Sequence, residues 1–373
     1  MSPQQRVLWV FYLQPVVFGA WIPRIPEIQT KLMLDPAGLA VALIGAPIGT
    51  LIALTFAGRL VHAIGSRLAI LVFLPVFLAT MLLPLMAPSQ LMLMAALALM
   101  SGSTSVLELG LNLVADEVEK RENRIIMSKA HGLWSLGLMT GTALGALAAG
   151  FHVEPVVADL AITAFVLPLG LFIAYGLPRV ETGKSESHGR IGLPHPILLF
   201  ICLFVFGTTL TEGAVADWSA IYMRDVFATG PGIGGLAVTA FTLTAALTRL
   251  TGDRLKQRFG PARLGRTLAV IGLAGVLFVV FAPHEIVGIA GFVLIGIGAA
   301  VAFPLGVTAA VAAPGRNAAS NVATLSFFAL TGFLVGPLLI GAITQHWGIR
   351  VGLAVIFPML LLSAVLAPAL SRR

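Results

Sequence analysis

Ser101, Ser105, Glu108 and Asn112 recur at intervals of four, three and four inside the apolar stretch from Leu91 to Val114. On a helix that spacing sets all four on one face. The stretch is long enough to cross a bilayer, since roughly 20 residues at ~1.5 Å rise span ~30 Å of hydrocarbon. An ionisable side chain in the middle of such a helix costs roughly 2.5–3.5 kcal/mol even on insertion scales, so the stripe belongs against other helices or a water-filled cavity. A carboxyl whose surroundings alternate between water and protein can load and release a proton. Glu108 is the sharpest candidate for that step, with Asn112 beside it as a ligand contact. The plainer use of Glu108 is a structural hydrogen bond to a neighbouring helix.

Other residues carry similar chemistry at helical spacing. Thr208 and Glu212 share a face, which makes Glu212 a second cavity carboxyl, whereas Asp217 points elsewhere. Near the outer end of its span, Asp217 can pair with Arg24 in a gate, cap a broken helix, or stand as an interfacial acid beside Trp218. Ser128, His131, Ser135 and Thr142 form another polar stripe, with Trp134 alongside. Imidazole changes charge near neutral pH, so His131 can share a proton with Glu108, or simply be solvated. Gln14, Phe18 and Trp21, and Asn321, Thr324 and Phe328, supply amides and aromatic rings. Amides bond hydroxyl groups and flat rings stack on apolar C–H faces, so these are candidate ligand contacts, with core packing as the alternative.

The elements that position these groups follow from composition. Hydrophobic residues make up 58% of the 373 and charged residues 10%, which defines a polytopic membrane protein. Apolar tracts, among them 90–115, 196–221, 232–252 and 285–312, give twelve spans. The first is read as a retained helix, because it lacks the small-residue cleavage site of a signal peptide. Of 23 lysines and arginines, nineteen fall on one set of loops and ends and only Arg24, Lys31, Arg224 and Arg350 on the other. That split places both termini in the cytoplasm. Basic residues are dispersed between spans, which argues against nucleic-acid binding. One cysteine and scattered histidines offer no metal cluster, and no cofactor is expected. Walker, dinucleotide and hydrolase motifs are missing, so an enzyme or ATP-driven pump is not expected.

The polar interval 179–195 divides the spans six and six, giving bundles 1–178 and 196–373 joined by a cytoplasmic linker. A repeat runs at an offset of 195. Arg59-Leu60 with Gly65 recurs as Arg254-Leu255 with Gly260, and Gly137 with Gly141 as Gly332 with Gly336. The glycine series of the fifth and eleventh spans reads first as close helix packing.

Six plus six helices with basic loops at Gly58-Arg59-Leu60 to Gly65-Ser66-Arg67 and at Gly252-Asp253-Arg254-Leu255 to Gly260 resemble the major facilitator superfamily. Trp21-Ile22-Pro23-Arg24-Ile25-Pro26 and Glu212-Gly213-Ala214-Val215-Ala216-Asp217-Trp218-Ser219 are similar to a bacterial branch related to fucose permease, which includes membrane proteins of rhizopine gene clusters. The resemblance implies an all-α fold of two pseudo-symmetric six-helix bundles and a sugar, polyol or amino-inositol-like substrate. It also implies gating roles for Arg59 and Arg254. His62 stands where the superfamily's loop motif has an acid, so the first half departs from the usual salt-bridge latch. The expected activity is alternating-access transport in the bacterial cytoplasmic membrane by a monomer, as proton-coupled symport with sodium as the lesser alternative. Export by proton antiport, which the glycine motif shares, and a non-transporting sensor are the rival functions.

Overall fold

A computed structural model of the protein describes residues 1–123, 126–180, 195–314 and 317–371. Among them, twelve helical spans are long and apolar enough to cross a membrane. They are α1 (Pro3–Lys31), α2 (Pro36–Ile64), α3 (Ser66–Met86), α4 (Gln90–Glu122), α5 (Lys129–Gly150) and α6 (Pro155–Tyr175) in the first half. The second half has α7 (Pro196–Phe227), α8 (Pro231–Phe259), α9 (Pro261–Val280), α10 (Glu285–Ala312), α11 (Ser320–Trp347) and α12 (Ile349–Ser371). Leu54, Leu99, Phe165, Phe172 and Val365 stand exposed. In lipid that surface is ordinary, because the surrounding chains are as apolar as the side chains.

The starts of the helices are encoded locally. Pro3, Pro36, Pro155, Pro196, Pro231 and Pro261 occupy first-turn positions, where a missing N–H removes no intrahelical bond. Ser2 and Gln5 form a reciprocal capping box on α1, and the Asp35 carboxylate accepts from the Gly38 N–H at 2.7 Å to cap α2.

The chain divides into two compact units, Met1–Ser185 with Gly230–Thr239, and Glu186–Thr229 with Ala240–Arg373. Most of the expected linker 179–195 lies outside the described residues. The backbone carries the repeat more clearly than the side chains do. At an offset of 195, α2 maps onto α8 end to end, Gly65 (φ 84°) onto Gly260 (φ 75°), and Met33 (φ 51°) onto Ala228 (φ 53°). Gly65 and Gly260 allow the left-handed turn that reverses the chain between one span and the next.

Within the first unit, α5 packs along α1, while α4 packs against α2 and α3 and barely touches α5. A side chain on Gly137 would run into the Tyr12 carbonyl, and one on Gly141 into that of Val16. Backbone therefore meets backbone along the α1–α5 seam, as small-residue spacing allows in membranes. In the second unit α7 lies against α11, where a Cβ on Gly332 would meet Thr209 and the Phe206 carbonyl at 2.8 Å. Its core gathers Phe204, Val205, Leu305 and Leu325.

Candidate functional site

Three helices of the first unit converge on Glu108. The Trp134 indole on α5 donates its single N–H to two acceptors, Glu108 Oε1 and Gln14 Oε1, each at 3.1 Å. Gln14, on α1 and only 2% exposed, donates from Nε2 to Thr104 Oγ1 at 3.0 Å. Thr104 is one turn before Glu108 on α4, so the amide lies along that helix. The indole fixes the amide's orientation, because an N–H needs the amide oxygen facing it. Glu108 is thus half-buried among neutral donors, with no ion pair among the described residues. Sequence spacing singles out Glu108, Gln14 and Trp134 but not their convergence, and it misses Thr104.

The second unit holds a different arrangement. Glu212 on α7 pairs with Arg249 on α8, Nη2 to Oε1 at 2.7 Å, and Arg249 Nε donates to the Ala300 carbonyl at 2.9 Å. That carbonyl is available for a covalent reason. Its helical partner would be the N–H of residue 304, and residue 304 is proline. The helix of α10 accordingly breaks after Ala299 and restarts at Ala302. Within a membrane an exposed carbonyl must find a donor, and Arg249 supplies it. By sequence alone Arg249 falls among the loop cations. In the structure it is ten residues inside the end of α8, roughly 15 Å by helical rise.

Several expected contacts take other forms. Arg24, expected in a gate with Asp217, is 2% exposed and committed within its own unit, to Glu27 at 2.7 Å and the Val153 carbonyl at 3.0 Å. Asp217 is half-buried on an unbroken α7, ten residues before Phe227, so it caps no break; it makes no hydrogen bond or ion pair among the described residues. Asn321, expected to face ligand, is fully buried and donates to the Ala310 and Ala313 carbonyls at 3.1 and 2.9 Å, closing the end of α10. Phe328 packs against the core of the second unit, and Trp21 is 4% exposed, as a packing residue would be. Asn112 turns back to its own helix, bonding the Glu108 carbonyl at 2.9 Å. His131 is exposed, its ring 5.6 Å from that of Phe11. Arg59 and Arg254 are exposed and form no ion pair among the described residues. Asp159 escapes the spacing argument altogether. It sits in the first turns of α6, 3% exposed, with no hydrogen-bond partner for either oxygen among the described residues, and a lone acid in the apolar tract 156–177 is the signal that could have found it.

Each unit of this twelve-span helical chain carries a half-buried carboxyl inside a span, an arrangement suited to a membrane transporter. The family model of the Major Facilitator Superfamily matches residues 11–215 and 197–373, and the chain belongs to that family. It is 30% identical over 377 residues to an uncharacterized transporter, y4wD, of Sinorhizobium fredii, covering 100% of this chain and 99% of the relative. It is 28% identical to the membrane protein MosC of Rhizobium meliloti, over 94% of this chain and 85% of that one. Among solved structures, the nucleoside transporter NupG matches with a TM-score of 0.75 at 12% identity, covering 100% of both chains. The Escherichia coli fucose:proton symporter FucP, solved as a point variant, matches with a TM-score of 0.66 at 15% identity, over 100% of this chain and 99% of that one. At such identities the structural likeness speaks for the fold alone. The protein is therefore a multi-pass transporter with an alternating-access fold.

Proposed function

We propose that the protein is a proton-coupled symporter of a small polar solute, a sugar, polyol or amino-inositol, in the bacterial cytoplasmic membrane with both termini inside. The observation that carries the reading is Glu108, a carboxyl inside a span whose carboxylate meets a neutral donor, the Trp134 indole, and no cation among the described residues. A carboxyl with no cation beside it changes its net charge by binding a proton, so proton occupancy and cavity state are linked. The Glu212–Arg249 pair is the second ionisable element, with its cation already in place. The strings Trp21–Pro26 and Glu212–Ser219, which resemble the fucose-permease branch, support a sugar-like solute, and the basic-residue asymmetry supports the orientation. The glycine series of α5 is accounted for by its seam with α1 and lends export no separate support.

The test is transport in proteoliposomes. Thermal stabilisation by a panel of sugars, polyols and amino-inositols identifies the ligand. An imposed proton gradient should then drive its accumulation in the wild type and fail to do so in Glu108→Gln, which should keep binding and counterflow exchange. Full accumulation in that variant would remove Glu108 as the coupling site, and Glu212→Gln would be tested next.

A further inference from the structure

One N–H with two acceptors is an unusual arrangement to hold in place. The Trp134 indole stands 3.1 Å from both Glu108 Oε1 and Gln14 Oε1. The two acceptors belong to different helices. Gln14 and Trp134 lie on α1 and α5, whose backbones are in contact at Gly137 and Gly141, while Glu108 rides on α4, which packs with α2 and α3. Because α4 and α5 otherwise barely touch, the indole-to-carboxyl bond is a principal tie between those two helices, while α4 meets α1 through packing and the Gln14–Thr104 bond.

We propose that Gln14 and Trp134 are positioning residues that read whether Glu108 carries its proton and convert the answer into the strength of that tie. This rests on the proton-coupled reading above. A charged carboxylate is acceptor only, and charge-assisted bonds to it are roughly twice as strong as neutral ones, so it draws the indole N–H and the Gln14 amide N–H to itself. When a hydronium ion delivers a proton to a carboxylate oxygen, the acid gains an O–H donor and its remaining oxygen becomes a weaker acceptor. Gln14 Oε1, which shares the indole N–H with Glu108 Oε1, is the acceptor offered to that O–H, and Nε2 of the same amide is anchored on Thr104. The indole is released toward Gln14, so the α4–α5 tie slackens while Glu108 gains a bond to α1 beside the one Thr104 already makes there.

The surroundings leave few rival titrating groups. From α2 and α3, Ala57, Val61 and Ala69 meet the Val106 face of α4 with apolar contacts. From α1 the facing group is the uncharged Gln14. On α5 the titratable side chain nearest Trp134 in sequence is His131, three residues before it, exposed and with its ring against Phe11.

The full-length protein, labelled with 5-fluorotryptophan in lipid nanodiscs, tests this by fluorine NMR. The chain has five tryptophans, so Trp134→Phe assigns the resonance. The Trp134 signal should move with pH in a single titration, the movement should vanish in Glu108→Gln, and Gln14→Met should shrink it by removing the alternative acceptor. His131→Gln should leave it unchanged. A static Trp134 signal, a full displacement in Gln14→Met, or loss of the displacement in His131→Gln would each overturn the proposal. The outcomes separate from those of the functional reading. A static signal beside Glu108-dependent accumulation would sink the relay and leave proton coupling standing. A titrating signal in a protein whose Glu108→Gln variant still accumulates solute would do the reverse.

Discussion

At the scale of single residues, the two intramembrane acids with partners are held by opposite means. Glu108 has a neutral donor, whereas Glu212 has a full cation whose other nitrogen closes a broken helix. Removing Arg249 strands both a carboxylate and the Ala300 carbonyl, while removing the charge of Glu212 as Gln keeps a hydrogen-bond acceptor opposite the guanidinium. Breaking a buried pair by deleting one partner costs about 3–5 kcal/mol. We expect Arg249→Leu to lower the melting temperature far more than Glu212→Gln, with the double variant less destabilised than the sum. Additive losses would show that the pair is not an energetic unit. Glu108 was legible in the sequence because a carboxylate inside an apolar run is costly to keep and so marks a working position. Arg249 was not, because it lies near enough to Asp253, Arg254 and Lys256 to pass for part of a cytoplasmic loop. Nor did spacing along one helix reveal that Gln14 and Trp134 meet Glu108, since such spacing fixes a face and not the neighbour across it.

At the scale of the elements, all twelve spans were legible from apolar length, but their interruptions were less so. Pro304 predicts a lost bond to Ala300 by simple counting, yet the side chain that replaces it comes from a different helix. Asn321 behaves in the same way. Its spacing with Thr324 and Phe328 suits a ligand-facing stripe, but the carbonyls ending α10 are nearer and take both amide hydrogens. The glycines divide by what a side chain would meet. Gly141→Leu should collapse the α1–α5 seam, since overpacking costs roughly 1–3 kcal/mol even where side chains can yield, and here the obstacle is the Val16 carbonyl. Gly58, in the helix of α2 with nothing within 4 Å of its Cβ position, should accept alanine and gain about 0.4–1 kcal/mol. Melting curves of the two variants in one detergent check the contrast, and equal behaviour would contradict the packing account.

At the scale of the whole molecule, the cations on the sparser side of the chain are all engaged. Arg24 holds Glu27 and the Val153 carbonyl, Lys31 the Leu85 carbonyl, Arg350 the Val280 and Ala282 carbonyls, and Arg224 its neighbour Asp225. Leu85 and Val280 are again 195 apart, so the ends of α3 and α9 are each capped by a basic side chain drawn from a different place in the chain. Arg24, Lys31 and Arg350 thus each hold a backbone carbonyl, whereas Arg224 pairs with a side chain. A reporter fused within 179–195 should read as cytoplasmic and one near Pro88 as external; the opposite result would invert the proposed topology.

The offset that relates Gly65 to Gly260 places Phe303 opposite Glu108, Thr209 opposite Gln14, Ala329 opposite Trp134, Val17 opposite Glu212 and Leu54 opposite Arg249. The turns recur and the chemistry does not. A synthetic chain joining two copies of the first half would inherit the reversals of that half and two sets of the Glu108 group, yet no counterpart of the Glu212–Arg249 pair and no proline-broken tenth helix. Such a twin would fold on the same plan and lack half of the ionisable equipment, because the repeat copies where the chain turns and leaves each half to choose its own charges.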